Sequence, residues 1–181
     1  MRIHSNRLKT YAAESGVSVE ALAQAVERTG LKGPEAISAV RNWMRGSDHP
    51  RCRAEDIRRL AQALGRPAKD LALFESQVLG TRGSTRKIRL VADMIRGKRV
   101  DDALNIVTFT TKRAAVDIKK CLQAAIADAE EAEADVTSLW VARSFVGEGM
   151  QIKRFQPKDR GRAHSIIKQT SHITVGVEER A

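Results

Sequence analysis

Apolar positions along this chain follow two different periods. Across residues 6–74 they recur at helical spacing, and nearly every interruption is Gly or Pro. Leu8, Tyr11 and Ala12 open the first stripe, and Ser18 stands where it caps a second helix carrying Leu22, Ala23 and Val26. Pro34 suits a first helical turn ahead of Ile37, Val40 and Met44, with Gly46 as the stop. Ile57, Leu60, Ala61 and Leu64 form a fourth stripe closed by Gly65, and Pro67 starts a last helix ending near Leu73 and Phe74. Residues 1–74 therefore read as a small all-α domain of five short helices.

Residues 75–181 read as a second, α+β domain. Ser84 is expected to cap a helix whose Ile88, Val91, Ala92 and Ile95 fall at i, i+3, i+4 and i+7, with Gly97 beyond its end. A short helix follows over residues 100–107. Thr110 or Thr111 starts a longer one, with Ala114, Ala115, Ile118, Leu122, Ala125, Ile126 and Ala129 on one face. Its acidic end, Asp128 to Asp135, reads as a solvated face. From Ser138 the period drops to two: Leu139, Val141, Arg143 and Phe145 share one face of a strand, and Trp140, Ala142, Ser144 and Val146 the other. A return strand runs through Ile173, Val175 and Val177.

Between those strands, residues 147–170 carry Lys153, Arg154, Lys158, Arg160, Arg162 and Lys168 against Glu148 and Asp159, with Pro157 and Gly161 bracketing a turn. A hairpin with legs of about a dozen residues, at ~3.3 Å per residue, reaches up to about 40 Å. Its apolar residues are few (Met150, Ile152, Phe155, Ile166, Ile167), while ordering each backbone unit costs roughly 1 to 2 kcal/mol. A partner must supply the difference, and a cationic ribbon suits phosphates and splayed bases.

Composition sharpens that choice. The 181 residues hold 32 Lys+Arg against 22 Asp+Glu, a formal +10, with 4% aromatics. Such an excess points to a polyanionic partner, nucleic acid first and anionic membrane second. Both segments share it: residues 1–74 have 13 basic and 8 acidic side chains and residues 75–181 have 19 and 14, so each is +5. No apolar run is long enough for a membrane span and the first residues lack a signal-peptide core, so a cytoplasmic location is expected. Cys52 and Cys121 stand 69 positions apart without metal-ligand neighbours. His4, His49, His164 and His172 are dispersed, so neither metal, cofactor nor enzymatic activity is expected.

Several motifs then occur in one order: Ser84-Thr-Arg-Lys-Ile-Arg-Leu-Val-Ala-Asp-Met-Ile-Arg-Gly-Lys98, Asp102-Ala-Leu-Asn-Ile106, Thr111-Lys-Arg-Ala-Ala115, Lys153-Arg-Phe-Gln-Pro-Lys-Asp-Arg-Gly-Arg-Ala163 and Thr170-Ser-His-Ile-Thr174 with Val177-Glu-Glu179. From about residue 76 onward the chain resembles the bacterial-type large-ribosomal-subunit protein L-twenty-two family. The resemblance implies three helices on a small antiparallel sheet with a long protruding β-hairpin, large-subunit rRNA and neighbouring ribosomal proteins as partners, and a part in subunit assembly. It also implies that the hairpin reaches the wall of the nascent-peptide exit tunnel, where the peptide itself is a partner. The hairpin-tip motif falls on Pro157, Lys158, Asp159, Arg160, Gly161, Arg162 and Ala163. The expected rRNA contacts are Arg82, Arg86, Lys87, Lys98, Arg99, Lys112, Arg113, Lys153, Arg154, Phe155, Lys158, Arg162, His164, Lys168 and His172. Thr85 stands where the family usually has Pro, and Gln156 where a basic residue is common. The family's first strand should occupy residues 76–83, despite Gly80 and Gly83.

Residues 1–74 lie outside that resemblance and are similar instead to a helix-turn-helix domain of the λ-repressor-like type. Residues 37–45 are the candidate recognition helix, with Lys32, Ser38, Arg41, Asn42 and Arg45 as possible nucleic-acid contacts. Residues 27–33 make the preceding turn longer than that family's tight one. Trp43 reads as core. The extension either docks on rRNA or a ribosomal protein or, under the alternative reading of the whole chain as a DNA-binding regulator, reads duplex sequence.

Overall fold

A computed structural model describes residues 1–180. It shows two compact units, the first Met1–Phe74 with Glu131–Ala134, the second the remainder.

In the first unit, β1 (Arg2–Ile3) precedes α1 (Ser5–Ser15), α2 (Val19–Ala25), α3 (Pro34–Arg45), α4 (Ala54–Ala63) and α5 (Ala68–Leu71). The five helices follow the apolar stripes, except that the last ends at Leu71 and leaves Leu73 and Phe74 to a strand, and Ser18 Oγ accepts from the Ala21 amide at 3.2 Å, capping α2. The two-residue β1 is an addition to the helical pattern: Arg2 and Ile3 pair with Leu73 and Ala72 at the start of β2 (Ala72–Arg82). Leu8, Leu22, Val40, Trp43, Ile57 and Leu60 are fully buried in one core. Trp43 fills its centre and donates through Nε1 to the Pro50 carbonyl at 2.6 Å, so its one polar atom is satisfied. Asp56, also buried, is met by the Arg28 guanidinium at 2.8 Å and the Arg53 amide at 2.9 Å, as a buried carboxylate requires.

The second unit contains α6 (Thr85–Ile95), α7 (Val100–Phe109), α8 (Ala114–Glu131), β3 (Leu139–Glu148), β4 (Ile152–Pro157), β5 (Ala163–Lys168) and β6 (Thr170–Glu179). The strands of its main sheet run in the order β2-β6-β3, with β4 and β5 forming a separate two-stranded ribbon. This is an α+β body of three helices on a small sheet. α6 and α7 pack on β3. α8 buries Ile118, Cys121, Leu122 and Ala125, and the Cys121 thiol lies against the Ser76 and Ile173 carbonyls of β2 and β6. Its helix starts at Ala114, later than Thr110 or Thr111, after a turn at residues 112–113.

Strict alternation along β3 fails at one residue. Leu139 and Val141 are buried, but then Ser144 and Val146 are buried while Arg143 and Phe145 face out. A bulge between Val141 and Arg143 adds one unpaired residue, Ala142, and so exchanges the faces beyond it. Ser144 tolerates burial because its hydroxyl donates to the Ala92 carbonyl at 2.9 Å.

β3 is a sheet edge, and α6 covers it. Val141 exchanges backbone bonds with the Gly97 amide and the Lys98 carbonyl, both at 2.9 Å, while Arg89 and Arg96 donate to the Val146 and Ser144 carbonyls. These contacts occupy acceptors that would otherwise offer a template to another strand. They also tie the end of α6 to the sheet.

Candidate nucleic-acid interface

The arm is a regular ribbon. β4 and β5 pair from Ile152 opposite Lys168 to Pro157 opposite Ala163, so six residues per leg are paired, fewer than the dozen expected. Gly147 and Glu148 belong to the main sheet, opposite His172 and Ser171. Between sheet and ribbon, Gly149 donates to the Thr170 carbonyl at 2.9 Å and Thr170 Oγ1 donates to the Met150 carbonyl at 2.6 Å, holding the two legs together. A side chain at Gly149 would meet Thr170 Oγ1 at 2.6 Å and its backbone at 3.1 Å, so the crossing demands glycine.

At the tip, the Lys158 amide donates to the Arg162 carbonyl at 2.7 Å across a short 3-10 turn, Asp159–Gly161. Arg160 (φ 54°, ψ 39°) and Gly161 (φ 69°) are both left-handed. Gly161 was legible as a position free to take positive φ; the matching strain at Arg160 was not. No residue from Lys153 to Ser165 is even half-buried, and Phe155 presents its ring to solvent at 76% exposure. Lys153, Arg154, Lys158, Arg160, Arg162, His164 and Lys168 thus all stand on the exposed ribbon or its tip.

The other expected cations divide into groups. Arg82, Lys87, Lys112 and Arg113 come together around one cleft of about 660 Å³ where β2 ends and where α6 and α8 begin. Arg86 points elsewhere and lines a smaller hollow of about 220 Å³ at the root of the arm, with Glu148 and Thr170. Lys98 and Arg99 lie at the far end of α6, where the Arg99 side chain is exposed and donates to the Thr137 carbonyl at 2.8 Å. His172 is half-buried, and its Nδ1 accepts from the Gly80 amide at 3.1 Å, which holds the ring's orientation. It stands on β6 opposite Gly147, beside the root of the arm.

One local expectation is corrected at the start of α6. Ser84 occupies the N-cap position, but its hydroxyl makes no capping bond. Thr85 supplies the side-chain link instead: its buried hydroxyl meets Ser171 Oγ at 2.9 Å, and Ser171 donates to the Gly83 carbonyl at 3.1 Å. A proline at this position would lack that hydroxyl. β2 runs through Gly80, which takes φ 71°, and reaches Arg82.

On the first unit, Ser38, Arg41 and Arg45 are exposed on α3 at i, i+3 and i+7, and Lys32 is exposed just before it. Asn42 departs from the expected outward position: it is half-buried and its amide donates to the His49 carbonyl at 2.9 Å. α2 and α3 pack together, and residues 26–33 between them contain a tight turn bridged from Arg28 to Leu31.

The family model described as ribosomal protein L22p/L17e matches residues 79–178, which span β2 from Leu79, α6 to α8, β3, the arm and most of β6. That stretch is more than half of the chain. The chain therefore belongs to the ribosomal protein L22p/L17e family, a class of non-enzymatic structural constituents that bind the rRNA and protein neighbours of the large subunit in the cytoplasm.

Proposed function

We propose that this protein anchors its second unit on large-subunit rRNA, supports subunit assembly, and extends the arm of residues 149–170 to the wall of the nascent-peptide exit tunnel. One observation carries the reading: a paired ribbon with six cations and no buried side chain from Lys153 to Ser165. At roughly 1 to 2 kcal/mol of backbone entropy per ordered residue, such a ribbon needs contacts from outside the chain. Phosphates and unstacked bases match its side chains, since Arg forks onto phosphate and stacks on bases while Phe155 offers a ring. Arg160 and Arg162 make the tip contacts, with the nascent peptide passing beside them.

The first unit adds a second nucleic-acid contact through Lys32, Ser38, Arg41 and Arg45 on and before α3. The exposure of these side chains at one helical spacing supports this. Its target is rRNA in this reading. Under a second reading the same face reads duplex DNA, and selection from random duplexes then enriches a site that Arg41→Ala abolishes; without enrichment by the native chain, the DNA reading fails.

The test is sedimentation of large subunits through a gradient at raised salt, followed by the intact mass and copy number of this chain. One full-length copy per subunit is expected, because an embedded arm resists salt that strips purely electrostatic ligands. A chain lost from the subunit overturns the anchoring. Replacing Arg160 and Arg162 by Ala should alter chemical footprints on tunnel-wall rRNA; unchanged footprints and normal assembly would remove the tip assignment.

A further inference from the structure

The cleft at the start of α6 and α8 is more than a basic patch. Four cations surround it, Arg82, Lys87, Lys112 and Arg113, against one carboxylate, Asp117. Its floor is apolar: Ile88 is buried, while Leu90 is 56% exposed and has no other side chain covering it fully. The beginnings of two long helices, at Ser84 and Ala114, also line it, and the Ser84 hydroxyl is not used as a cap.

These features separate two ways of binding RNA. A duplex backbone satisfies cations but keeps its bases stacked away from any apolar floor. A lone phosphate needs neither the floor nor a volume of about 660 Å³, which lies in the range that accepts a whole small ligand. An unpaired nucleotide uses both parts: its base lies on the floor at Ile88 and Leu90, and its phosphate faces the cations and the helix starts.

We infer that this cleft seats a single unpaired, splayed-out nucleotide of large-subunit rRNA, base inward and phosphate on the cationic rim. The inference rests on the anchoring of the second unit on rRNA proposed above. It makes the body, as well as the arm, a reader of unstacked RNA.

Site-directed cross-linking in intact large subunits tests it. Leu90→Cys places a thiol on the floor, and Val116→Cys places a second one beside Asp117; both native residues are exposed, at 56% and 57%, so both changes should leave folding nearly untouched. Selective labelling is favoured because burial, above all, raises the thiol pKa of Cys52 and of Cys121 and keeps both protonated. A photoreactive group on either new thiol should stop reverse transcription at the same unpaired nucleotide. In the parallel Leu90→Glu variant, that nucleotide should become about tenfold less protected from base-specific reagents, the loss of one good stacking contact. Cross-links from both thiols to a protein, or to paired stems, would overturn the inference while leaving the anchoring intact. Absence of the unsubstituted chain from salt-washed subunits would overturn the anchoring itself.

Discussion

The body and the arm of the second unit use the same antiparallel pairing and differ in what lies beside it. In the body, Leu139 and Val141 of β3 and Ile173, Val175 and Val177 of β6 are fully buried, and each such side chain contributes about 1.5–3 kcal/mol. In the arm, twelve residues in β4 and β5 pair just as regularly, and Ile152 and Ile166 are the only two even partly buried. Pairing alone therefore does not distinguish a self-supporting sheet from one that waits for a partner. The distinction lies in the side chains: those of the arm are mostly exposed and include six cations, whereas the buried face of the body is hydrocarbon.

The sharpest way to break this comparison is a matched pair of truncations. Ile173→Ala should cost about 2–5 kcal/mol in a denaturant melt of the full chain, whereas Ile167→Ala, half exposed on β5, should stay within about 0.5 kcal/mol. Equal losses would mean that the arm is part of the folding unit. Next in size is the joint replacement of Lys153, Arg154 and Arg162 by Ala. The slope of log affinity for large-subunit rRNA against log salt should fall by about 2 if each faces one phosphate. Thermal stability of the free chain should not change, because none of the three is buried.

Thr85→Ala probes the seam where α6 joins the sheet. It leaves the Ser171 hydroxyl short of one partner and should cost roughly 1 kcal/mol of unfolding free energy, read by the same melt. Smallest is the tip. Arg160→Gly should relieve about 1 kcal/mol of left-handed strain and increase the ordered hairpin population by NMR, while Arg160→Ala removes the same charge and keeps the strain. If both variants loosen the tip alike, backbone conformation does not govern its order.

Much of this architecture was legible in residue spacing. The stripes of the first unit gave its five helices, and Ile173, Val175 and Val177 gave the buried face of β6. What spacing missed were events that depend on a second element. The bulge at Ala142 exchanged the faces of β3, because register is set by the partner strand and not by alternation alone. The paired length of the arm is short because Gly147 and Glu148 pair with β6 and residues 149–151 lie between sheet and ribbon. Among the candidate contacts, the charge of Arg82, Lys87, Lys112 and Arg113 was visible, but their convergence was not, since 30 residues separate the first from the third. Leu90 carried no signal as a floor: along the helix it reads as an ordinary exposed apolar residue. Asn42 and His172 were named for their chemistry, and each is tied to a backbone group whose position sequence does not encode.

Amide hydrogen exchange, measured on the free full-length chain and on the same chain within purified large subunits, tests the contrast between body and arm most directly. In the free chain, the amides of β3 and β6 should exchange slowly and those of β4 and β5 with little protection; within the subunit, both sets should be slow. An arm as protected as the body in the free chain, or one still unprotected within the subunit, would contradict the claim that rRNA supplies its order.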